Sequence, residues 1–329
     1  MKNADKKIIL TGMRPTGILH IGNYFGALLP LVKLQKDADE LYIMIADTHA
    51  LTTLEDSKNL KKNTLNLTNA YIAAGIDPNK SIIFVQSQIP EHAELAILLS
   101  MVIPVSMLEI CPVYKEMCKE HPQNKNLGLL AYPVIQAADI LLYKTTGVPV
   151  GKDQAPHIEI AREIARRFNS RFGEIFVEPK TILQKESKIF SLQNPHKKMS
   201  KSHREKTYIS LLDSPEKIRE KIKIAVTDSG KEIVYDLKKK PAISNLLTIY
   251  NLFSNGGRKG PSFAECGYAE FKKDLAEVII EGLSPLQKKY KELEKNPDYA
   301  KEVLAQGNKK AKKIASQTME AVKTKIGFL

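Results

Sequence analysis

Lys7-Ile8-Ile9-Leu10-Thr11 runs straight into Gly12-Met13-Arg14-Pro15-Thr16-Gly17-Ile18-Leu19-His20-Ile21-Gly22-Asn23, and the reading of this opening decides the fold. Residues 7–11 predict a short buried strand, residues 12–17 a breaker run of Gly and Pro, and the following residues, to about 36, an amphipathic helix with Leu28, Leu29, Leu31 and Leu34 for its core face. A strand, a glycine-rich turn and a helix start together aim backbone N–H groups at an anion. Outward from there, residues 40–46 predict a second strand ending in Asp47-Thr48-His49. A helix capped by Asp56 or Ser57 follows to residue 74, then a third strand over 81–86 ending in Ser87-Gln88. Apolar strands alternating with helices predict an α/β fold, a parallel sheet with helices on both faces. Ligands bind at the carboxyl edge of such sheets, which singles out Asp47 and His49.

Farther along, residues 90–123 read as a helical insertion carrying Cys111, Cys118 and Tyr114-Lys115. Tyr132-Pro133-Val134-Ile135-Gln136-Ala137-Ala138-Asp139 opens a helix. Val148-Pro149-Val150 is a short strand running into Gly151-Lys152-Asp153-Gln154 and a helix to residue 168. Past residue 190 the pattern changes to helices rich in Lys and Glu, over 215–225 and 271–293, with an exposed loop at 256–261. The change places a boundary near 185–195, dividing the chain into residues 1–190, with the insertion at about 90–125, and residues 191–329.

The 329 residues suffice for two domains, and 43% hydrophobic with 26% charged residues is an ordinary soluble composition. No apolar run reaches the roughly 18 residues of a membrane span. The amino-terminal residues lack the pattern of a secretory signal, so a cytoplasmic protein is expected. Three cysteines without CxxC spacing suggest neither a disulfide framework nor a zinc site. A formal charge of +13 suits a polyanionic partner, but lysine-rich proteins without one also exist.

Two stretches carry candidate chemistry. Gly12, Gly17 and Gly22 with His20 and Asn23 offer what a triphosphate needs, a helix start and space, though His20 could equally be a solvated helix-start histidine. The spacings GxGxxG and GxxxxGK[ST] are both missing. Far downstream, Lys197-Lys198-Met199-Ser200-Lys201-Ser202 reads as a basic surface loop. Two ammonium groups delivered to a departing pyrophosphate would stabilise charge that builds in a nucleotidyl-transfer transition state.

In this order the two stretches resemble the HIGH and KMSKS motifs of class I aminoacyl-tRNA synthetases, with Asn23 in the last position of the first. Val148 to Gln154, His157-Ile158-Glu159, Ala165 to Asn169, Ala225-Val226-Thr227-Asp228-Ser229 and Lys240 to Leu247 are similar to runs of the tryptophanyl-tRNA synthetase family. The resemblance implies a Rossmann-like doubly wound catalytic domain followed by a helical anticodon-binding domain. It implies an enzyme that condenses L-tryptophan with ATP, Mg²⁺ riding on the phosphates, and transfers the acyl group to tRNA-Trp. It also implies a homodimer using the insertion, with no membrane or DNA partner and no metal held by the protein. Tyrosyl-type synthetases, a regulator that binds tRNA or tryptophan without activating it, and a nucleotidyltransferase without tRNA remain as alternatives.

Carried onto matching positions, the resemblance gives catalytic roles to His20, Asn23, Lys115, Lys198 and Lys201. For ATP it adds Arg14, Thr16, Gly17, Gly22 (space for adenine), Gly151, Asp153, Met199, Ser200 and Ser202. For tryptophan it names Leu10, Gly12, Arg14, His49, Tyr132, Gln136, Asp139, Val148, Val150 and Gln154, with Asp139 accepting the indole N–H and Tyr132 and Gln154 holding the ammonium. Lys238, Lys239, Lys240, Lys309, Lys310, Lys312 and Lys313 are candidate tRNA contacts. Departures from the family pattern are Gln136 for methionine, Arg14 for glutamine and His203 for an acid.

Overall fold

The computed structural model describes residues 6–52, 57–120, 122–123, 125–183, 188–201, 204–254 and 267–328, without the side chains of Val113, Glu120 and Asp153. Asp56, Ser202, His203, Cys266 and the loop at 256–261 therefore lie outside the described residues, as does the Asp153 side chain. Among the described residues, parallel strands β1 (Ile8–Met13), β2 (Glu40–Ile45), β3 (Ile82–Val85), β4 (Gly147–Val150) and β5 (Lys180–Leu183) form one sheet in the order β3-β2-β1-β4-β5. Leu41 to Ile45 and Ile83 to Val85 are buried without alternation, as befits a parallel sheet covered on both faces. The chain reverses its winding between β1 and β4, which opens a crevice at their carboxyl ends.

Three differences from expectation concern element ends. Gly12 and Met13 pair with Met44 and Ile45, so the break begins at Arg14 rather than Gly12. The helix expected to open at Tyr132 is Leu127–Leu141, capped by Asn126, whose Oδ1 accepts from the Leu129 N–H at 3.1 Å. Pro133 suggests a first-turn proline but lies inside. The next long helix upstream, Leu60–Ala73, starts after Asn59 instead of Asp56 or Ser57. β5, too short and too little buried to signal itself, was not expected.

The chain forms two compact units. The first comprises Met1–Gly17, Val32–Lys185 and Asn296–Leu329; the second comprises Ile18–Leu31 and Glu186–Lys295. The expected division at 190/191 thus meets one joint, but residues 191–329 are not one body. The reason lies in the helix Pro297–Ile326, whose Ala311, Ala315, Met319 and Val322 repeat at helical spacing and are buried in the sheet's core. At Gly307 a Cβ would stand 1.8 Å from the Ile83 carbonyl oxygen, and Asn308 Oδ1 accepts from the Val85 N–H at 2.9 Å. A lysine-rich surface had hidden an apolar stripe.

Also in the first unit, the insertion forms helices Glu91–Ser100, Val105–Glu109 and Pro112–Glu120. A 3-10 turn, Lys152–Gln154, leads from β4 into Ala155–Phe172. The second unit holds the start of the first helix, Ile21–Asn23, a π segment Tyr24–Leu28, and the helices Pro215–Lys223, Pro241–Phe253 and Tyr268–Lys295. The first helix continues as Leu29–Asp37, with Leu28 and Leu31 buried and Leu29 and Leu34 half-buried. No described helix is long and apolar enough to cross a membrane.

Candidate active site

In the sheet unit the site is built on the Leu127–Leu141 helix, where Tyr132, Gln136 and Asp139 fall at i, i+4 and i+7 and so share a face. Asp139 is fully buried, and its carboxylate is reached from segments that follow β2 and β3. His49 Nε2 lies 2.8 Å from Oδ2, His92 Nδ1 lies 2.6 Å from Oδ1, and Gln86 Nε2 donates to both oxygens at 2.9 and 3.0 Å. Gln86 is oriented in turn, because its Oε1 accepts from the His49 N–H at 3.3 Å. Burial by itself would raise the Asp139 pKa, but the hydrogen bonds and charges of His49 and His92 outweigh it and hold the carboxyl below the usual range. Asp47, the other strand-end carboxylate, accepts from Thr48 N–H, Ser87 N–H and Ser87 hydroxyl, so it ties the ends of β2 and β3 together.

A cavity of about 70 Å³ lies at the carboxyl ends of β1 and β4, walled by Arg14, Tyr114, Met117, Tyr132, Gln154 and His157 among others. Burial pushes the Tyr132 hydroxyl pKa up, with Arg14 opposing and Asp139 adding to the rise. The His49 ring is 4.3 Å from the Tyr132 ring, so the wall and the Asp139 cluster are contiguous. Gln136 is directed to His157, whose Nδ1 donates to Gln136 Oε1 at 2.6 Å. Of the expected tryptophan residues, Arg14, Tyr132 and Gln154 are cavity walls. His49 lies against Tyr132, Gln136 bonds to the wall residue His157, Asp139 stands behind them against His49, and Leu10, Gly12, Val148 and Val150 belong to the adjoining strands. Gly151 is half-buried after β4, Thr16 and Gly17 follow Arg14 in the turn, and Lys115 is exposed on the Pro112–Glu120 helix.

Expected residues of the other group sit in the second unit. The His20 main-chain N–H donates to Asn23 Oδ1 at 3.1 Å, and the segment at 19–21 pairs with 209–211 through Ile21 N to Ile209 O and Leu211 N to Leu19 O. A buried ion pair, Lys221 to Asp213 at 2.6 Å, holds this segment, since Asp213 Oδ2 also accepts from the Ser210 N–H. His20 is 6% exposed and its Nδ1 has no hydrogen-bond partner among the described residues. Burial, then the charges of Lys201 and Lys198, lower its pKa to about 4, so the ring is neutral at neutral pH.

Gly22 stands against the His20 side chain. The His20 ring fills the space its missing side chain leaves, and a Cβ there would be 2.9 Å from ring atoms Cε1 and Nδ1. The basic stretch is also less of a loop than its composition suggests. Lys198 forms an antiparallel bridge with Phe190, the Met199 N–H donates to Ile189 O, and Met199 is buried. Lys198 remains exposed, while Ser200 and Lys201 are half-buried.

Sequence reasoning missed His92, Gln86 and Tyr143 around Asp139, and His157, Tyr114 and Met117 at the cavity. Gln86 stood just past a strand end, where the rule that selected His49 applies equally, and Tyr143 is i+4 from Asp139. For His92, in the first turn of the Glu91–Ser100 helix, nothing in the spacing gave a signal.

The family description "tRNA synthetases class I (W and Y)" matches residues 2–284. A tryptophan-tRNA ligase of Caldanaerobacter subterraneus subsp. tengcongensis is 45% identical over 327 residues, covering 98% of this chain and 99% of that protein. The chain belongs to the tryptophan-tRNA ligase family of class I synthetases. Its relative in Wigglesworthia glossinidia brevipalpis is 47% identical over 328 residues, with 98% of each chain covered. The fold of this family member matches a crystal structure of tryptophanyl-tRNA synthetase from Campylobacter jejuni complexed with ADP and tryptophan. The TM-score is 0.86 and the identity 37%, with 97% of this chain and 99% of that one covered.

Proposed function

We propose that the chain activates L-tryptophan with ATP, forming tryptophanyl-adenylate and pyrophosphate, and then transfers the tryptophanyl group to the terminal ribose of tRNA-Trp. The observation that carries the reading is the placement, in one compact unit, of a buried neutral His20 beside the charges of Lys198 and Lys201. A substrate carboxylate oxygen attacks the α-phosphorus in line, the bond to pyrophosphate breaks, and negative charge grows on the departing group. Lys198 and Lys201 stabilise that charge, and a neutral His20 adds a donor without adding repulsion between cations. No protein nucleophile takes part, so catalysis is positioning plus electrostatics.

Lysines and a neutral imidazole suit phosphate oxygens rather than a bare cation, so Mg²⁺ enters on the nucleotide and supplies charge neutralisation there. Asn23, Arg14, Thr16, Gly17, Gly22, Gly151, Asp153, Lys115, Met199, Ser200 and Ser202 complete the ATP contacts in this reading. On the amino-acid side, Tyr132 and Gln154 hold the ammonium and Asp139 accepts the indole N–H.

Helices of the second unit serve anticodon recognition, with Lys238, Lys239 and Lys240 nearby in sequence. Lys309, Lys310, Lys312 and Lys313 are exposed on the Pro297–Ile326 helix of the sheet unit and would meet tRNA phosphates from there. Ile97, Met101, Val105 and Ile110 are 62%, 68%, 57% and 66% exposed on the insertion, which supports a homodimer formed through it, working in the cytoplasm. The test is exchange of labelled pyrophosphate into ATP without tRNA, with tryptophan, tyrosine and phenylalanine compared. Exchange with tryptophan alone is expected; exchange with tyrosine would overturn the specificity, and binding without exchange would overturn the enzyme.

A further inference from the structure

Asp139 is the fully buried member of a cluster larger than substrate contact requires. His92 is 3% exposed and has both ring nitrogens engaged, Nδ1 with Asp139 Oδ1 at 2.6 Å and Nε2 with the Tyr143 hydroxyl at 2.8 Å. An ionised carboxylate only accepts, so the proton on Nδ1 points at Asp139, and Nε2 is left facing the Tyr143 hydroxyl. Tyr143 is itself fixed by stacking on Tyr42, with ring centroids 4.7 Å apart. The chain of orientation therefore runs from Tyr42 through Tyr143 and His92 to one oxygen of Asp139.

The other contacts on the carboxylate differ in kind. His49 holds Oδ2 singly, whereas Gln86 shares one amide nitrogen between both oxygens. A shared donor is the contact that an incoming N–H can replace at one oxygen while both imidazoles stay in place. Without His92, Oδ1 would keep Gln86 alone, and that end of the carboxylate would be held less firmly.

We propose that His92 is a positioning residue for tryptophan selection, holding the Asp139 carboxylate in the one orientation that receives an indole N–H, with Tyr143 fixing the His92 ring. This rests on the reading of Asp139 as the indole acceptor. Its effect is on discrimination for the N–H group, because the side-chain hydrogen bonds of His92 go to Asp139 and Tyr143.

The experiment measures kcat/KM for pyrophosphate exchange with tryptophan and with β-(3-benzothienyl)alanine, whose sulfur replaces the N–H at nearly constant shape. For His92→Phe the tryptophan value is expected to fall about 10- to 100-fold while the sulfur analogue's value and the KM for ATP stay within about twofold. His92→Gln, which restores an amide donor, should recover most of the discrimination, and Tyr143→Phe should lose about 3- to 10-fold. Equal losses for both amino acids in all three variants would assign His92 to packing and overturn the proposal. Should His92→Phe fail to fold, His92→Gln and Tyr143→Phe decide in the same way. Asp139→Asn separates the two levels. If it leaves the ratio between the amino acids unchanged, the indole reading of Asp139 fails, whereas if it collapses the ratio and the His92 variants do not, only the role of His92 fails.

Discussion

Asp139 in the sheet unit and His20 in the second unit are both buried candidate residues, and their hydrogen-bond accounts are opposite. Asp139 is met by three donor side chains, while His20 has an Nδ1 without a hydrogen-bond partner among the described residues, close to two lysine charges. Selecting an uncharged aromatic group calls for a rigid acceptor whose alternatives are already filled. Receiving a polyanion calls for the reverse, a site left electrically incomplete until the ligand arrives. In the proposed reading, the sheet unit's cluster is complete on folding and the second unit's is completed by its ligand.

Predictions follow from that contrast, in decreasing size. Asp139→Ala strands His49, Gln86 and His92 and should cost about 3–5 kcal/mol of folding stability, read from urea unfolding, together with tryptophan-dependent exchange. A change below about 1 kcal/mol would show that the cluster relaxes easily and is not preformed. Lys198→Ala should lower the exchange kcat about 10²- to 10³-fold and leave stability near wild type. Since the chain has no tryptophan of its own, the fluorescence of bound substrate gives its affinity directly, and that affinity should be unchanged. A parallel loss of tryptophan binding would erase the distinction between the halves.

The His20 prediction concerns pH. Its folded pKa, about 4, lies below the ordinary 6.5, so between those values the unfolded chain holds a proton that the folded chain does not. Stability is complete above pH 6.5 and should fall by about 3 kcal/mol as pH drops towards 4. His20→Asn should flatten that slope, and pyrophosphate, by countering the lysine charges, should shrink it in the wild type. A slope indifferent to both would remove His20 from the charged site. Smallest is Gln136→Met, which withdraws the acceptor for His157 Nδ1 and should cost about 1 kcal/mol with a modest rise in the KM for tryptophan.

Periodicity and strand-end polarity were enough to place β1 to β4, the insertion and the position of His49, because each depends on a local pattern. The same local reading put the proline-bearing helix five residues late, since Pro133 imitates a first-turn residue and the true cap, Asn126, is an unremarkable asparagine in a polar run. Long-range pairings were not legible. Nothing near His92 announces Asp139 as its partner, and no spacing tells that Gly22 is small to admit the His20 ring. Gln136, a departure when judged against the family pattern, acquires a reason only when His157 is seen opposite it.

The seat of Gly307 against Ile83 has a consequence for how the protein is made. The helix Pro297–Ile326 that covers the β3 edge follows β3 (Ile82–Val85) far along the chain, so β3 is synthesised well before its cover exists. At ordinary elongation rates that interval is roughly 10 to 50 s, during which the β3 edge depends on chaperones or on transient cover from its own nascent chain. A ribosome that stops before Pro297–Ile326 would therefore release a sheet whose β3 edge is still uncovered.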